Sequence, residues 1–292
     1  MVGSNGNIGK FLSEQFDEIY QVHKISYSPS KFSKNFTQLD LSNKRAVMEY
    51  VEKCGQFEVI VFLVGLAHSK GNKKSHNKYK KSNLNTVINL MDALQQKSKL
   101  PDKFVFMSTI SVYGERLGLS SYGEDVPKIP RSPYSMTKLE AESFLLKNLF
   151  KKVWILRLAP VYSTKFRLNI NRRMKILGIP FKVGSGSARF SLCNILNISI
   201  ALKGVINDKI PPGVYNISDK RNYDYTDLLK LDKVKIFIPI PVFIVKTVYR
   251  TGLFFNNIYL MENSLKLIKN NIYPSKRVSR YVDLEGHLFD KI

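Results

Sequence analysis

Tyr134 and Lys138 are the two residues whose types and spacing best suit proton transfer. They lie four positions apart in Pro133-Tyr134-Ser-Met-Thr-Lys138, which places both side chains on one face of a helix. A tyrosine near its reference pKa of about 10 is a poor base at neutral pH, but a neighbouring ammonium favours the phenolate. The pair therefore predicts a general base and its assistant. A surface pair on an amphipathic helix is the alternative.

Hydroxyl side chains follow a buried strand pattern upstream of this pair. The apolar run Phe104–Met107 continues into Ser108, Thr109 and, two residues later, Ser111. Open α/β sheets bind their ligands at the carboxyl ends of strands. We therefore expect Thr109 to hydrogen-bond the reacting oxygen and to share its proton with Tyr134. Capping of the strand end is the other use that these hydroxyls could have.

A glycine loop opens the chain, in the order Gly3-Ser-Asn-Gly6-Asn-Ile-Gly9. Such a loop lets a pyrophosphate approach the N–H groups of a helix N-terminus. Dinucleotide contacts are expected from Gly3, Asn5, Gly6, Asn7, Ile8 and Gly9. Only Met1 and Val2 precede the loop, so the first strand of the sheet is expected to be missing. A start codon assigned too late is favoured over a true truncation.

The choice of dinucleotide is set after the second strand. The stretch from Ile25 to Lys31 contains hydroxyls and a lysine but no carboxylate, which favours NADP slightly over NAD. Asp40 and Leu41, at the end of the third strand, are expected to contact the adenine. An exposed polar turn with no role in this choice is the alternative.

The elements around these residues alternate between strand and helix. Apolar strand candidates are Ile19–Ser26, Phe36–Leu39, Val59–Val64, Phe104–Met107 and Val153–Leu158. Helical patterns lie between them at Lys10–Phe16, Lys44–Cys54, Tyr79–Lys97 and Tyr134–Phe150. This alternation predicts an α/β, Rossmann-like, doubly wound parallel sheet.

The character of the sequence changes after Val161. A basic irregular stretch leads to a helical pattern at Asn194–Val205, a Pro211-Pro212-Gly213 turn and a helical region from Tyr225. We predict a Rossmann-like domain over residues 1–162. Residues 163–292 are predicted to form a small C-terminal substrate-binding cap, with some segments returning to the sheet.

The charge is strongly positive, with 46 Lys and Arg against 23 Asp and Glu, a formal net charge of +23. The excess is scattered lysine without a recognisable nucleic-acid-binding module, so no nucleic-acid partner is expected. Cys54 and Cys193 lie far apart, and the four histidines lack ligand spacing. No metal site is therefore predicted, and we expect a cytoplasmic protein.

The apolar stretch Ile236–Phe255 is interrupted by prolines and by Lys246 and Arg250. It is a poor candidate for an integral membrane segment. Core packing is its expected use, and peripheral contact with a membrane is the alternative.

The ordered motifs resemble those of the extended short-chain dehydrogenase/reductases, in particular the NAD-dependent epimerase/dehydratases of nucleotide sugars. The resemblance covers residues 3 to about 205. Its motifs are the glycine loop, Asn83 with Thr86, Ser108-Thr109 with Val112-Tyr113-Gly114, Tyr134 with Lys138, and Leu156-Arg157 with Pro160-Val161-Tyr162.

The resemblance implies roles for particular residues. Thr109 is the catalytic hydroxyl, Tyr134 the base and Lys138 its assistant, which also holds the nicotinamide ribose. Substrate contacts are implied for Ser111, Asn169 and Arg189, with Arg189 gripping the nucleotide diphosphate. A homodimer through the helices Tyr79–Lys97 and Tyr134–Phe150 is expected from the family alone.

Two positions depart from the family's dehydratases, which place Asp-Glu directly after the catalytic threonine. Ile110 and Ser111 stand there, so dehydration is not expected. The resemblance then favours a 4-epimerase of a nucleotide sugar, with a UDP-sugar preferred, acting through a 4-keto intermediate in surface-polysaccharide precursor synthesis. Alternatives are an NADPH-dependent 4-keto-sugar reductase and an inactive or regulatory nucleotide-binding protein.

Overall fold

The computed structural model describes residues 1–30, 35–67, 76–149 and 151–290. The chain divides into two compact units. The first unit contains residues 1–108, 133–156 and 205–214, and the second contains 109–132, 157–204 and 215–292. The chain therefore passes between the two units several times.

Short parallel strands form the sheet of the first unit. β1 (Lys24–Ser26) pairs with β2 (Phe36–Gln38), and β3 (Val59–Phe62) pairs with β4 (Lys103–Thr109). The longer sheet has the order β10 (Gly213–Ile217), β5 (Val153–Leu158), β4, β3. All residues of β4 and β5 are buried, as expected for strands covered on both faces. The parallel α/β architecture is as predicted.

Met1 and Val2 occupy the position between β1 and β3. Val2 forms parallel bridges with both Ile25 and Phe62. Its N–H donates to Val61 O at 2.8 Å, and its carbonyl accepts from Leu63 N at 2.8 Å. The two residues that precede the glycine loop thus join the pairs β1–β2 and β3–β4.

Helices of the first unit follow the predicted order. They are α1 (Asn7–Asp17), α2 (Lys44–Lys53), α3 (His76–Tyr79), α4 (Thr86–Gln96) and α5 (Pro133–Leu149). The predicted continuous helix Tyr79–Lys97 is instead interrupted by a π-helical turn at Lys80–Asn85. Apolar residues of α2, α4 and α5 pack on β3 and β4 around Phe62, Phe104 and Phe106.

The second unit contains small sheets and a group of helices. β6 (Val161–Tyr162) pairs in parallel with β9 (Cys193–Asn194), and β7 (Lys175–Ile176), β8 (Ile179–Val183) and β11 (Ile238–Ile240) form a sheet of order β11-β8-β7. Its helices are α6 (Leu168–Met174), most of α7 (Ile195–Ile206), α8 (Tyr225–Leu231), α9 (Val242–Phe254) and α10 (Ile258–Ile268).

A buried carboxylate, Asp219, ties these elements together. Its Oδ1 accepts from Asn194 N at 2.6 Å and from Asn197 Nδ2 at 2.8 Å. Its Oδ2 accepts from the hydroxyls of Tyr162 at 2.6 Å and Tyr223 at 2.9 Å. Burial raises the pKa of Asp219 to about 6, and these four donors oppose that rise.

The stretch Ile236–Phe255 does not serve mainly as core. Within it, Val245 and Gly252 are buried, whereas Phe243, Phe254 and Phe255 are largely exposed. The reason is geometric, because one face of α9 is sufficient to pack on α10 and on the β8 region. Among the described residues, no helix combines the length and the apolar character that crossing a bilayer requires.

Candidate active site

Lys138 is the central charged group of the first unit. Its position on α5 buries the side chain almost completely. The ammonium donates to Met107 O at 2.9 Å and to Val64 O at 3.2 Å, the carbonyls at the ends of β4 and beyond β3. It also lies 4.4 Å from the centre of the Phe106 ring, a cation–π contact. Lys138 thus sits at the carboxyl edge of the sheet, where α/β folds bind ligands.

Burial controls the charge of Lys138. Desolvation lowers the pKa of its ammonium from 10.5 to about 7, and the nearby Glu142 opposes that fall. The ammonium therefore titrates close to neutral pH in the structure. A group with this property can release or hold a proton under physiological conditions.

Glu142, the partner of Ser108, is a residue beside this site that the motifs did not identify. Glu142 lies one helical turn beyond Lys138 on α5 and is buried. The Ser108 hydroxyl donates to Glu142 Oε1 at 2.5 Å. Ser108 belongs to β4, so this bond attaches α5 to the same strand that provides Met107 O and the Phe106 ring to Lys138. The spacing of Lys138 and Glu142 was the signal that could have revealed the carboxylate.

Asn83 fixes the start of α5 from the π-helical turn. Its side chain is fully buried, with Oδ1 accepting from Leu66 N at 2.6 Å and Nδ2 donating to Thr137 Oγ1 at 3.1 Å. The Thr137 hydroxyl in turn donates to Pro133 O at 2.8 Å. Asn83 therefore orients the first turn of α5, which carries Tyr134.

Tyr134 is half-buried at the beginning of α5. Its ring centre lies 6.4 Å from that of Tyr79, with the ring planes tilted by 56°. This aromatic contact limits the positions of the phenol relative to α3. Tyr134 and Lys138 both belong to α5, four residues apart.

The glycine loop forms a tight turn before α1. Gly3 has a φ of +91°, and a Cβ there would lie 3.0 Å from Val64 N. A Cβ on Gly9 would lie 2.8 Å from Ser4 Cα, closer than side chains approach in proteins. Gly6 provides the N-cap of α1 without a side-chain cap bond, so N–H groups at this end are not covered by a capping side chain.

The remaining predicted cofactor residues lie around this loop. Asn5 is held by its Nδ2, which donates to Ser28 O at 2.8 Å. Asp40 is exposed and accepts from Ser42 N at 2.9 Å, whereas Leu41 is buried. Asn7 is exposed and Ile8 is half-buried. Lys31, on which the NADP preference partly depended, lies outside the described residues.

These first-unit residues fit a dinucleotide. The loop has no room for side chains at Gly3 and Gly9, and it leads into a helix N-terminus that favours negative charge. The Lys138 ammonium lies near the same sheet edge and donates to Val64 O, and a Cβ added to Gly3 would lie 3.0 Å from the nitrogen of the same residue. The donor set is backbone N–H and ammonium, as a pyrophosphate with ribose requires.

Thr109 belongs to the second unit and caps a short helical turn. Its Oγ1 accepts from Ser111 N at 3.2 Å, at the start of the 3-10 helix Ile110–Tyr113. The capping use of this hydroxyl is therefore present, and it leaves the hydroxyl proton for another acceptor. Ser111, two residues later, is half-buried.

The other predicted substrate residues also belong to the second unit. The Arg189 side chain is exposed, and its backbone N–H donates to Asn270 Oδ1 at 2.8 Å. Asn169 Nδ2 donates to Val161 O at 2.8 Å, which attaches α6 to β6. Arg173 lies nearer the core, with its guanidinium 4.5 Å from the centre of the Phe190 ring and its pKa lowered by burial. The sequence did not single out Arg173, because the Arg172-Arg173 pair carries no motif.

No group of His, Cys, Asp or Glu side chains within the described ranges is arranged to hold a metal ion.

The family model of the NAD-dependent epimerase/dehydratases matches residues 1–217 of the 292. The chain belongs to this family. A curated family relative, the UDP-glucose 4-epimerase of Vibrio cholerae, is 27% identical over 204 residues, which are 64% of this chain and 61% of the relative. The alignment thus spans less than two thirds of that relative's length.

Solved structures of similar fold include two epimerases. The UDP-Glc/GlcNAc 4-epimerase of Campylobacter jejuni has a TM-score of 0.74 at 18% identity, covering 99% of this chain and 94% of the other. The UDP-glucuronic acid 4-epimerase of Bacillus cereus, solved with NAD, has a TM-score of 0.72 at 19% identity, covering 98% and 92%. At these identities the likeness establishes the fold of this epimerase/dehydratase family member, and the predicted family is confirmed.

Proposed function

We propose that this epimerase/dehydratase family member is an NAD(P)-dependent 4-epimerase of a nucleotide sugar, with a UDP-sugar favoured as substrate. The observation that carries the proposal is the buried Lys138 ammonium, which lies at the carboxyl edge of the sheet on the helix that also carries Tyr134. The similarity of the chain to the UDP-glucose 4-epimerase of Vibrio cholerae supports the choice of substrate class. The proposed pathway is the synthesis of surface-polysaccharide precursors.

Tyr134 is the proposed base. As a phenolate it takes the proton from the sugar 4-hydroxyl, and as a phenol it returns that proton to the 4-oxygen. A nicotinamide held next to Tyr134 and Lys138 would supply the complementary chemistry, a hydride acceptor for the sugar C4 and the return of that hydride. Between these two events the 4-keto sugar presents its other face, so the configuration at C4 is inverted.

Lys138 has two proposed tasks. Its positive charge favours the phenolate of Tyr134. An ammonium has three N–H donors, and Val64 O and Met107 O accept from two of them. We propose that the third holds a hydroxyl of the nicotinamide ribose, while Gly3, Gly6 and Gly9 admit the pyrophosphate and Asp40 meets the adenosine.

Residues of the second unit are proposed to bind the substrate. Thr109 has a hydroxyl proton to donate to the reacting oxygen, since its oxygen already accepts from Ser111 N. Ser111 and Asn169 are proposed to contact the sugar moiety, and the exposed guanidinium of Arg189 the diphosphate, for which a fork of donors is suited. Ile110 and Ser111 supply no carboxylate for an elimination, so dehydration is not proposed.

The decisive assay incubates the purified protein with UDP-glucose, UDP-N-acetylglucosamine or UDP-glucuronic acid and follows the C4 epimer by NMR. Epimerisation with NAD and without net change in the nicotinamide is expected. Tyr134→Phe should lower the rate by about 10²–10⁴-fold. Tyr281→Phe, which changes a half-exposed tyrosine of the second unit, should not. If the wild type converts no UDP-sugar with NAD or with NADP, the epimerase proposal fails.

A 4-keto-sugar reductase is the second candidate, favoured by one observation. The residues after β1 offer hydroxyls and no carboxylate, a surrounding that suits the 2′-phosphate of NADP; of these, Ser28 contacts Asn5 of the glycine loop. Stoichiometric oxidation of NADPH with a UDP-4-keto sugar, together with no epimerisation, would assign the chain to this reaction.

We also propose a homodimer through α4 and α5, which light scattering of the purified chain tests.

A further inference from the structure

We propose that helix α9 of the second unit docks this protein on the surface of a membrane that contains anionic lipid. The proposal rests on exposure, side-chain chemistry and charge along residues 233–261. It does not depend on the proposed activity.

The first observation is that α9 is packed along one side. Val245 is buried against a cluster with Phe181, Val183 and Tyr225, and Gly252 approaches α10 closely. A Cβ on Gly252 would lie 3.0 Å from Leu260 Cβ and from Met261 N. The helix is therefore fixed to the second unit along this side, and the opposite side faces outward.

The outward side of α9 exposes large apolar side chains to water, which is energetically unfavourable. The exposed fractions are 68% for Phe243 and 83% for Phe254, and Phe255, directly after the helix, is 69% exposed. Contiguous exposed apolar surface of this kind marks a site of association. Other exposed apolar residues of the same helix are Val242, Ile244, Val248 and Leu253.

Basic side chains share the outward side with the aromatic ones. At 100° per residue, Phe243, Arg250 and Phe254 lie within about 40° of one another around the helix axis, and Lys246 flanks them. All four side chains are exposed. Aromatic anchors beside cations are typical of helices that lie in the interface of a bilayer.

The charge of residues 233–261 indicates which kind of partner binds the outward side of α9. Residues 233–261 contain four basic residues, Lys233, Lys235, Lys246 and Arg250, and no Asp or Glu. A second copy of this chain would bring an identical basic face against it, and like charges repel. An anionic bilayer offers both an apolar interior for the phenylalanines and negative head groups for the cations.

The length of α9 excludes insertion across the bilayer. Its 13 residues correspond to about 20 Å, less than the roughly 30 Å of a hydrocarbon core. The helix is instead expected to lie parallel to the surface. In this orientation α9 would hold the protein at the membrane surface without crossing the bilayer.

Co-sedimentation of the full chain with vesicles tests the proposal. Binding to vesicles of 30% phosphatidylglycerol in phosphatidylcholine is expected, with weakening in high salt and little binding to phosphatidylcholine alone. Phe243→Ser with Phe254→Ser should weaken binding at least about tenfold, because both apolar anchors are lost. Lys246→Glu with Arg250→Glu should do so as well, because two attractive charges are reversed.

Matched controls carry the same changes elsewhere. Ile19→Ser with Leu117→Ser removes exposed apolar side chains from other elements, and Lys53→Glu with Lys147→Glu reverses two exposed charges on α2 and α5. Both controls should bind vesicles like the wild type. Circular dichroism should show every variant folded, since the changed side chains are exposed.

Three results would overturn the proposal. The first is absence of binding to anionic vesicles, and the second is equal binding by the α9 variants and their controls. The third is a dimer in solution that the Phe243→Ser, Phe254→Ser variant loses, which would assign the face to a second copy. A loss of vesicle binding confined to the α9 variants supports the proposal.

Discussion

Lys138 in the first unit and Asp219 in the second are both buried ionisable side chains, and they differ in the number of hydrogen bonds that their neighbours form with them. Asp219 accepts four hydrogen bonds, two at each carboxylate oxygen. Lys138 donates to two backbone carbonyls and lies beside Phe106. Burial moves each pKa toward neutrality, to about 6 for Asp219 and to about 7 for Lys138.

The difference teaches how burial can serve structure or chemistry. The four donors around Asp219 come from β6, β9, α7 and the segment after Asp219, so the carboxylate holds the unit together. The Lys138 ammonium has donor capacity beyond the two carbonyls, at a sheet edge suited to ligands. We therefore expect substitutions of Asp219 to affect stability first, and substitutions around Lys138 to affect activity first.

The largest expected effect is on activity, at Tyr134. Tyr134→Phe should lower kcat for epimerisation by about 10²–10⁴-fold, because the proposed base is removed. Urea unfolding should remain close to that of the wild type, since the ring and its contact with Tyr79 are retained. A kcat within threefold of wild type would remove Tyr134 from the proposed mechanism.

The next effect is on stability, at Asp219. Asp219→Ala should lower the free energy of unfolding by about 3 kcal/mol or more, because several buried donors lose their acceptor. Urea denaturation followed by circular dichroism measures this change.

Tyr162→Phe is the matched control, since it removes one of the four bonds. A loss of about 1–2 kcal/mol is expected for it. Equal losses for the two variants would show that Asp219 does not organise the second unit.

The third prediction separates the two charges by pH. Asp219 has a pKa of about 6 against 3.8 for the exposed carboxyl, so the native state binds more protons between these values. Its contribution makes the free energy of unfolding fall as pH rises from about 4 to about 6. Lys138 has a pKa of about 7 against 10.5, so the native state binds fewer protons and the free energy rises between these values.

Urea unfolding across this pH range checks both signs. Asp219→Asn should flatten the acid slope, and Lys138→Met should flatten the alkaline slope. If each variant keeps the slope of the wild type in its own window, the assignment of these two titrations is wrong.

The smallest expected effect concerns Glu142. Its charge raises the pKa of Lys138, so Glu142→Gln should lower that pKa further while a side-chain oxygen remains to accept from Ser108. Because the charged ammonium is the active form, the alkaline limb of kcat/KM should move to lower pH, by about one unit or less. Glu140→Gln, at an exposed position of the same helix, should leave the profile unchanged. An unmoved limb in both variants would contradict the positioning role of Glu142.

Local patterns predicted much of the first unit. The apolar run Phe104–Met107 predicted a strand buried on both faces, and all of Lys103–Thr109 is buried. The π-helical turn at Lys80–Asn85 could not be predicted in this way. It is stabilised through Asn83, whose partners Leu66 and Thr137 lie 17 and 54 residues away.

The second unit was less predictable for a related reason. The apolar character of Ile236–Phe255 suggested core packing, but composition does not say which face of a helix finds a partner. α9 packs along the side of Val245 and Gly252, and Phe243 and Phe254 face outward. The exposed side became visible only when the neighbours of α9 were known.

The sequence by itself determined which chemical groups this protein has and how they are spaced. Tyr134 and Lys138 share a helix face because a helix repeats every 3.6 residues, and the glycine spacing permits a tight turn wherever the loop lies. Only the tertiary structure decided the charge state of Lys138. The pKa of Lys138 depends on desolvation and on the charge of Glu142. Both arise only when folding brings α5 against the strand ends, where Val64 O and Met107 O accept from the ammonium.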